Sequence, residues 1–304
     1  MKLVAHKIKS GIYYVGAKHF DRRLFDELIP TPDGTTYNAY LVVGSEKTAL
    51  IDSVDAVKFK ELQTNLKKVD FKTIDYLVSN HTEQDHSESI VKLIEIYPKA
   101  KIVTNTKGKE HLMVHLHLPE DKFLVKNDGE TLSLGDKTLK FIEAPWVHWP
   151  ETMFTLAVED KIIFTCDLFG THLAQSEPFV TDKAKTYDAA KRYYAEIMMP
   201  FRKLIKRHLA KLENYDFDMI APSHGPIHDE PNFIIDAYKD WISDDDKNEV
   251  VIPYVSMHHS VKEMVEHLTH TLSEKGIKVI PFNLTGADIG ELAMALVDTA
   301  TIVV

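Results

Sequence analysis

The segment HTEQDH, residues 81–86, places four potential metal ligands within six positions: His81, Glu83, Asp85 and His86. Imidazole nitrogens and carboxylate oxygens bind zinc, iron and manganese. The segment follows the apolar stretch IDYLVSN (74–80), a predicted strand, and precedes SESIVKLIEIYP (87–98), a predicted helix. In a loop between these elements the four side chains can converge on one cavity, whereas a continuous helix would spread them around its circumference.

Three further candidate ligands stand where predicted strands run out into loops. They are His148, after the strand KFIEA, Asp167, at the end of IIFTCD, and His224, after the strand DMIA. Binding sites in α/β proteins gather at such strand ends. The seven side chains comprise four imidazoles and three carboxylates, which is too many for one tetrahedral ion.

Two ions that share Asp167 as a bridge would use the whole set. The resulting ligand sets are His81, Glu83 and His148 for one ion, and Asp85, His86 and His224 for the other. Because no thiolate is among the ligands, iron and manganese suit such a site, and zinc stays open as an alternative. A carboxylate at position 83 donates electron density and favours a redox-active iron. In hydrolytic dizinc sites with a comparable arrangement of ligands, the position that corresponds to Glu83 is usually a second histidine.

The composition is typical of a soluble globular protein, with 304 residues, of which 44% are hydrophobic and 27% charged. The formal net charge of −10 argues against a nucleic acid partner, because phosphate neutralisation needs clustered lysine and arginine. The single cysteine, Cys166, excludes an intramolecular disulfide and fits a reducing cytoplasm. No signal peptide and no membrane span are predicted from the hydropathy pattern. We therefore expect a cytoplasmic protein.

Two blocks of predicted elements would position the ligands. Residues 1–249 contain short strands, hairpins and helices, and end in the acidic segment SDDDKNE (243–249). Residues 250–304 follow the order strand, helix, strand, helix, strand, which is typical of a parallel sheet. We therefore predict two domains, 1–249 and 250–304. The last strand reaches Val304 with no covering helix after it, so the second domain is expected to be part of a longer unit.

Four segments resemble the flavodiiron proteins, also called A-type flavoproteins: HTEQDH, PWVHWPETMFT, FTCDLFGTHL and APSHGPI. The resemblance extends over essentially the whole chain and includes all seven family ligands. It implies an α/β fold. A metallo-β-lactamase-like αββα sandwich with a non-haem diiron site, residues 1–249, would be followed by a partial flavodoxin-like doubly wound parallel sheet, residues 250–304, that carries FMN.

The resemblance also implies an activity. Members of the family reduce dioxygen to water, nitric oxide to nitrous oxide, or both, with electrons delivered through FMN from a donor such as rubredoxin, a reduced deazaflavin or a partner reductase. In the family the FMN of one subunit faces the diiron site of its neighbour, which implies a head-to-tail homodimer or a tetramer. The alternative is a dizinc hydrolase of the same fold, whose bridging hydroxide attacks an ester or thioester.

The segment SMHHSV (256–261) resembles a flavodoxin phosphate loop, because it follows a predicted strand and opens a predicted helix. Hydroxyls and backbone N–H groups at a helix N-terminus suit a phosphate, and Ser256, His258 and Ser260 match the family pattern for FMN. The segment departs from that pattern at His259, where the family often has glycine, and at Val261, where it usually has threonine. The loops that surround the flavin ring are expected beyond Val304.

Overall fold

The computed structural model describes residues 6–245 and 247–304, so residues 1–5 and Asp246 of the predicted linker lie outside the described residues. The strands, in chain order, are β1 (His6–Lys9), β2 (Ile12–Tyr14), β3 (Ala17–His19), β4 (Leu24–Phe25), β5 (Ile29–Pro30), β6 (Thr35–Tyr37), β7 (Tyr40–Val43), β8 (Thr48–Ile51), β9 (Tyr76–Val78), β10 (Lys101–Thr104), β11 (Phe123–Val125), β12 (Thr131–Ser133), β13 (Thr138–Glu143), β14 (Met153–Ala157), β15 (Ile162–Cys166), β16 (Met219–Pro222), β17 (Lys247–Tyr254), β18 (Lys278–Asn283) and β19 (Thr299–Ile302).

The helices begin after β8 and are interspersed among the later strands. The α-helices are α1 (Phe59–Leu66), α2 (Gln84–Ser87), α3 (Ile90–Ile96), α4 (Thr106–His115), α5 (Lys183–Tyr193), α6 (Arg202–Leu212), α7 (Pro231–Trp241), α8 (Ser260–Glu274) and α9 (Ile289–Asp298). Single 3₁₀ turns cover Ala56–Lys58, Glu120–Lys122 and Met199–Phe201, and a π-helical turn covers Tyr194–Met198. Among the described residues, no helix has both the length and the apolar composition that a membrane crossing requires.

Two large sheets form the layers of the first part of the molecule, beside the two-stranded pairs β3-β6 and β4-β5. The larger has the strand order β1-β2-β7-β8-β9-β10-β11, and the smaller has the order β12-β13-β14-β15-β16. Successive side chains of a strand point to opposite faces of its sheet. In β8, Ile51 packs in the core between the sheets and Leu50 packs under helices. In β15, Phe164 packs in the same central core and Ile163 packs under the helices of the other side.

These cores account for the apolar runs in the strands. Side chains of α1, α3 and α4 cover the outer face of the larger sheet, and those of α5, α6 and α7 cover the outer face of the smaller one. A strand that is buried on both faces must be apolar at nearly every position, as in TALI of β8 and IIFTC of β15. The architecture is the αββα sandwich that the sequence predicts.

The strand order brings the ligand-bearing loops together. In the larger sheet β8 and β9 run parallel, with Ile51 opposite Val78. In the smaller sheet β15 and β16 run parallel, with Cys166 opposite Pro222. Parallel neighbours end at the same edge of a sheet, so Asp167 and His224 leave β15 and β16 side by side.

The stretch 183–213 departs from the prediction of one long helical segment. The α-helix gives way to a π-helical turn at Tyr194 and to a 3₁₀ turn that contains Pro200 before α6 begins at Arg202. Proline lacks a backbone N–H and its ring clashes with the preceding turn, which breaks the regular α-helical ladder. The break separates the outer helical layer into two shorter helices.

The last block forms a three-stranded parallel sheet with the order β18-β17-β19, as the strand-helix pattern predicts. Its first strand starts at Lys247, two residues before the predicted boundary at 249, and pairs there with Thr299 of β19. Helix α9 packs against α5 and the π-helical turn. At this contact Arg192 donates a hydrogen bond to Asp288 over 2.5 Å.

Candidate metal centre

The HTEQDH segment is only partly a loop, contrary to the sequence prediction. His81 and Glu83 lie in extended backbone after β9, and Gln84–Ser87 form the one-turn helix α2, with Glu83 at its N-cap (φ −58°, ψ 148°). The seryl Oγ of Ser87 donates to the carbonyl of Thr82 over 2.8 Å and holds the turn closed. The turn directs Asp85 and His86 to the same side as His81.

Three of the predicted ligands form one group, here called the His81 position: His81, Glu83 and His148. The Nε2 atoms of His81 and His148 each lie 3.2 Å from Oε2 of Glu83. The same two nitrogens each lie 3.3 Å from Oδ2 of Asp167. Four donor atoms therefore face one point.

The other three ligands form a second group, here called the His224 position: Asp85, His86 and His224. Oδ2 of Asp85 lies 3.1 Å from Nε2 of His224, and Oδ1 lies 3.3 Å from Nε2 of His86. Oδ1 of Asp167 is 3.1 Å from Nε2 of His86 and 3.5 Å from Nε2 of His224. Asp167 thus turns one oxygen towards each position, which is the arrangement that a bridging carboxylate requires.

The chemistry of the donor set fits a pair of cations. Both carboxylate oxygens of Asp85 and of Asp167, and both ring nitrogens of His86, are buried without a hydrogen-bond partner. Buried polar groups in native proteins are nearly always hydrogen-bonded or bound to an ion, and buried charges are paired or coordinate a metal. Geometry agrees, since donor atoms of His81, Glu83, His86 and Asp167 lie within 4.8 Å of one another, as do those of Asp85, His86 and His224.

The ligand pKa values show that the cluster favours positive charge. Burial lowers the pKa of His86, but Asp85 and Asp167 outweigh it and raise the pKa to about 9. Burial also opposes the charged form of His148, whose pKa is raised to about 9 by Asp167 and Glu83. The buried Asp167 carboxyl has its pKa held well below the usual value by the neighbouring imidazoles. The Asp167 carboxylate stays ionised and stabilises cations placed beside it.

Several buried residues that sequence patterns did not single out hold the imidazoles in place. Nδ1 of His81 donates to Glu151 over 2.7 Å, and Nδ1 of His224 donates to the carbonyl of Thr36 over 2.6 Å. Thr35 Oγ1 contacts Nδ1 of His172 over 2.9 Å, and His172, which is outside the ligand set, packs against the ring of His224. Metal-bound histidines usually have such partners. Glu151 could have been suspected from its place in PWVHWPETMFT, as a carboxylate between a candidate ligand and the apolar strand β14.

A buried carboxylate at the end of β8 joins the loops of the two sheets. Asp52 accepts hydrogen bonds from the backbone N–H of Asn80 over 2.8 Å and from Ser223 Oγ over 3.3 Å. Asn80 precedes His81, and Ser223 precedes His224. Asp52 therefore fixes the spacing between a ligand of the larger sheet and a ligand of the smaller one.

One side of the centre is open. The side chains of Glu83 and His148 are 14% and 18% exposed, whereas His81, His86 and Asp167 are at most 1% exposed. Trp146 is 46% exposed and stacks on Phe201 with ring centroids 6.5 Å apart. A small molecule can therefore reach the ligands from the edge formed by Glu83 and His148.

The predicted phosphate loop lies between β17 and α8. Ser256 Oγ accepts a hydrogen bond from the backbone N–H of Lys262 over 3.2 Å. His258 is exposed, and Ser260 is the first residue of α8. His259 adopts a left-handed conformation (φ 67°), which glycine adopts at lower cost. The three predicted FMN contacts are thus neighbours around one helix N-terminus. In the sequence they follow all seven predicted metal ligands.

Comparisons with known proteins agree with this fold and site. The family model of the ODP family beta lactamase matches residues 35–225. A nitric oxide reductase of Moorella thermoacetica is 37% identical over 304 residues, covering 98% of this chain and 76% of the relative. The structure of rubredoxin oxygen:oxidoreductase from Desulfovibrio gigas superposes with a TM-score of 0.93 at 33% identity, covering 98% of this chain and 76% of that one. The flavodiiron protein of Giardia intestinalis gives 0.91 at 27% identity, covering 99% and 75%.

The fold and the clustered ligands define a metallo-β-lactamase-like protein with a dinuclear type of site. The chain belongs to the ODP beta-lactamase family, within the flavodiiron proteins. It is accordingly an oxidoreductase. The relatives therefore favour the prediction of a redox enzyme over the alternative of a dizinc hydrolase.

Proposed function

We propose that this protein reduces dioxygen to water, nitric oxide to nitrous oxide, or both, at two iron ions held by the seven clustered side chains. The observation that carries the proposal is the placement of Asp167, whose two oxygens face two separate groups of ligands at 3.1–3.5 Å. The His81 position would hold one ion and the His224 position the other. The relatives named above reduce these gases or carry the family name.

When bound, two ferrous ions would supply the electrons that reduce the gas. The residues of this chain contribute the rest. Asp167 sets the separation of the two positions, because one rigid carboxylate faces both. The fully buried rings of His81 and His86 exclude water from the inner side of the centre, which strengthens every electrostatic contact there. Glu83 and His148 leave the outer edge accessible for the gas.

Electrons would arrive through FMN. The neighbouring residues Ser256, His258 and Ser260 suit the phosphate of this cofactor, because a helix N-terminus supplies backbone N–H groups and a favourable dipole. A donor such as rubredoxin, a reduced deazaflavin or a partner reductase would reduce the flavin; rubredoxin is named for the Desulfovibrio gigas relative. The assembly would be a head-to-tail homodimer or tetramer in the cytoplasm, with residues 1–249 as the diiron domain and 250–304 as the flavodoxin-like part.

Gas consumption tests the activity. Protein loaded with iron and FMN is mixed with a reduced donor, and uptake is followed with an oxygen electrode and a nitric oxide electrode. We expect consumption of at least one gas without accumulation of hydrogen peroxide. Absence of uptake of both gases, with two irons and flavin bound and the donor shown to reduce the flavin, would overturn the proposal.

A further inference from the structure

Glu151 is a buried carboxylate that is outside the ligand set and contacts one of its members. Its side chain is fully buried. One oxygen, Oε1, accepts three hydrogen bonds, from Nδ1 of His81 at 2.7 Å, from the backbone N–H of Thr82 at 3.0 Å and from Oγ1 of Thr82 at 2.8 Å. An ionised carboxylate has no hydrogen to donate, so the ring of His81 must carry its proton on Nδ1. The other ring nitrogen, Nε2, faces Glu83 at 3.2 Å and Asp167 at 3.3 Å.

The remaining imidazoles of the centre have no such partner. Nδ1 of His224 donates to a neutral backbone carbonyl, and Nδ1 of His86 is buried without any hydrogen-bond partner. In the described part of the chain, the outward-facing nitrogen of His148 contacts no carboxylate either. Among the carboxylates of the described residues that contact the two groups, besides the bridging Asp167, the His81 position has Glu83 as a ligand and Glu151 behind a ligand, and the His224 position has Asp85.

We propose that Glu151 makes the two metal positions unequal, so that the His81 position binds a divalent cation more tightly than the His224 position. Glu151 is then a positioning residue that acts through His81. A carboxylate behind a histidine fixes its ring orientation and makes its free nitrogen a stronger donor, and loss of such a partner typically weakens metal affinity about 10–100-fold. The inference rests on the proposed diiron function for the identity of the bound ions.

Metal titration of the full-length protein tests the order of binding. Metal-free protein is titrated anaerobically with Fe(II) against a competing chelator, in the wild type and in Glu151→Gln, which keeps an acceptor for His81 but removes the charge. The wild type should bind two ions in two steps. In the variant the tighter step should weaken about 10–100-fold, and the weaker step should change by less than about 3-fold. Equal weakening of both steps, or no change in either, would overturn the proposal.

A matched control separates charge removal near His81 from charge removal in general. Glu196→Gln removes a partly buried carboxylate, whose contact is Arg192 at 3.2 Å on the outer helical layer. This variant should leave both binding steps unchanged. Circular dichroism of the metal-free variants verifies that each retains the fold.

A second set of variants keeps the inference testable if Glu151→Gln does not fold. Asp85→Asn removes a ligand of the His224 position and should abolish the weaker step, while Glu83→Gln should abolish the tighter one. Mössbauer spectra with one equivalent of ⁵⁷Fe(II) should then show a single iron environment in the wild type that persists in Asp85→Asn and is lost in Glu83→Gln. The opposite assignment would overturn the proposal. These readouts measure metal binding alone, so they stand whether or not the protein consumes a gas.

Discussion

Oδ2 of Asp85, on the loop that leaves the larger sheet, lies 3.1 Å from Nε2 of His224, on the loop that leaves the smaller sheet. Neither sheet carries a complete ligand set, so the centre exists only when the two sheets pack together. The folded state, which brings all seven side chains together, therefore binds an ion more tightly than the unfolded chain does. Metal binding and folding are therefore coupled.

Metal removal should destabilise the protein. A ligand at 100 times its dissociation constant stabilises the native state by about 2.7 kcal/mol. We expect dialysis against a strong chelator to lower the midpoint of thermal unfolding and re-addition of Fe(II) to restore it. Differential scanning calorimetry of the two forms measures the shift. Identical midpoints would show that the cluster does not bind metal in the native state.

Loss of the bridge should affect both ions. Asp167→Asn keeps the shape of the side chain and removes the charge shared by the two positions. We expect the affinity for each ion to fall by at least the ~10–100-fold that loss of an outer partner causes, with gas consumption reduced in proportion to the bound iron. Elemental analysis after gel filtration measures the loss. Asp218→Asn, a change to an exposed carboxylate paired with Lys9, is the control and should retain full metal content.

Metal affinity should rise with pH up to about 9. His86 and His148 have pKa values raised to about 9 in the metal-free cluster, so below that pH an incoming ion must displace their protons. Affinity should therefore fall as the pH is lowered from 9 towards 6.5, with a slope of at least one proton at each position, from His148 at the His81 position and from His86 at the His224 position. Competition titrations across this range measure the slope, and an affinity independent of pH would contradict the charge state inferred for the two rings.

The same two histidines predict how the metal-free protein responds to pH. Their folded-state pKa values lie above the unfolded value of about 6.5. The stability that protonation contributes is therefore complete below pH 6.5 and is lost as the pH rises through 9. Urea unfolding of the metal-free protein should show a declining free energy of unfolding over that interval. A free energy that increases there would contradict this prediction.

The contact between the two blocks should depend on Arg192. Its guanidinium bonds Asp288 over 2.5 Å and Glu196 over 3.2 Å, and its side chain is 14% exposed. Because hydrogen bonds to charged groups contribute about 1.5–3 kcal/mol, Arg192→Met should lower the free energy of unfolding by a similar amount. Lys239→Met, in a highly exposed pair with Glu213, should cost less than about 1 kcal/mol. Equal effects of the two changes would contradict the role of Arg192.

The αββα sandwich was implied by the resemblance of four segments to the flavodiiron proteins, whereas residue types at predicted strand ends were enough to predict the seven candidate ligands, because those depend on local patterns. The apolar run of β15 followed by Asp167 is visible in the sequence. The pairing of His81 with Glu151 is not, since the two residues are 70 positions apart and meet only through the tertiary fold. The turn of α2 was missed for a local reason, because four residues carry too little periodicity to reveal a helix.

Iron content tests the central claim most directly. The full-length protein, purified anaerobically from iron-replete cells and measured by plasma mass spectrometry, should contain about two irons per chain, as a seven-ligand centre with one shared carboxylate requires. Two zinc ions per chain, or less than one iron that does not increase when Fe(II) is added, would contradict the assignment of these residues to a diiron centre.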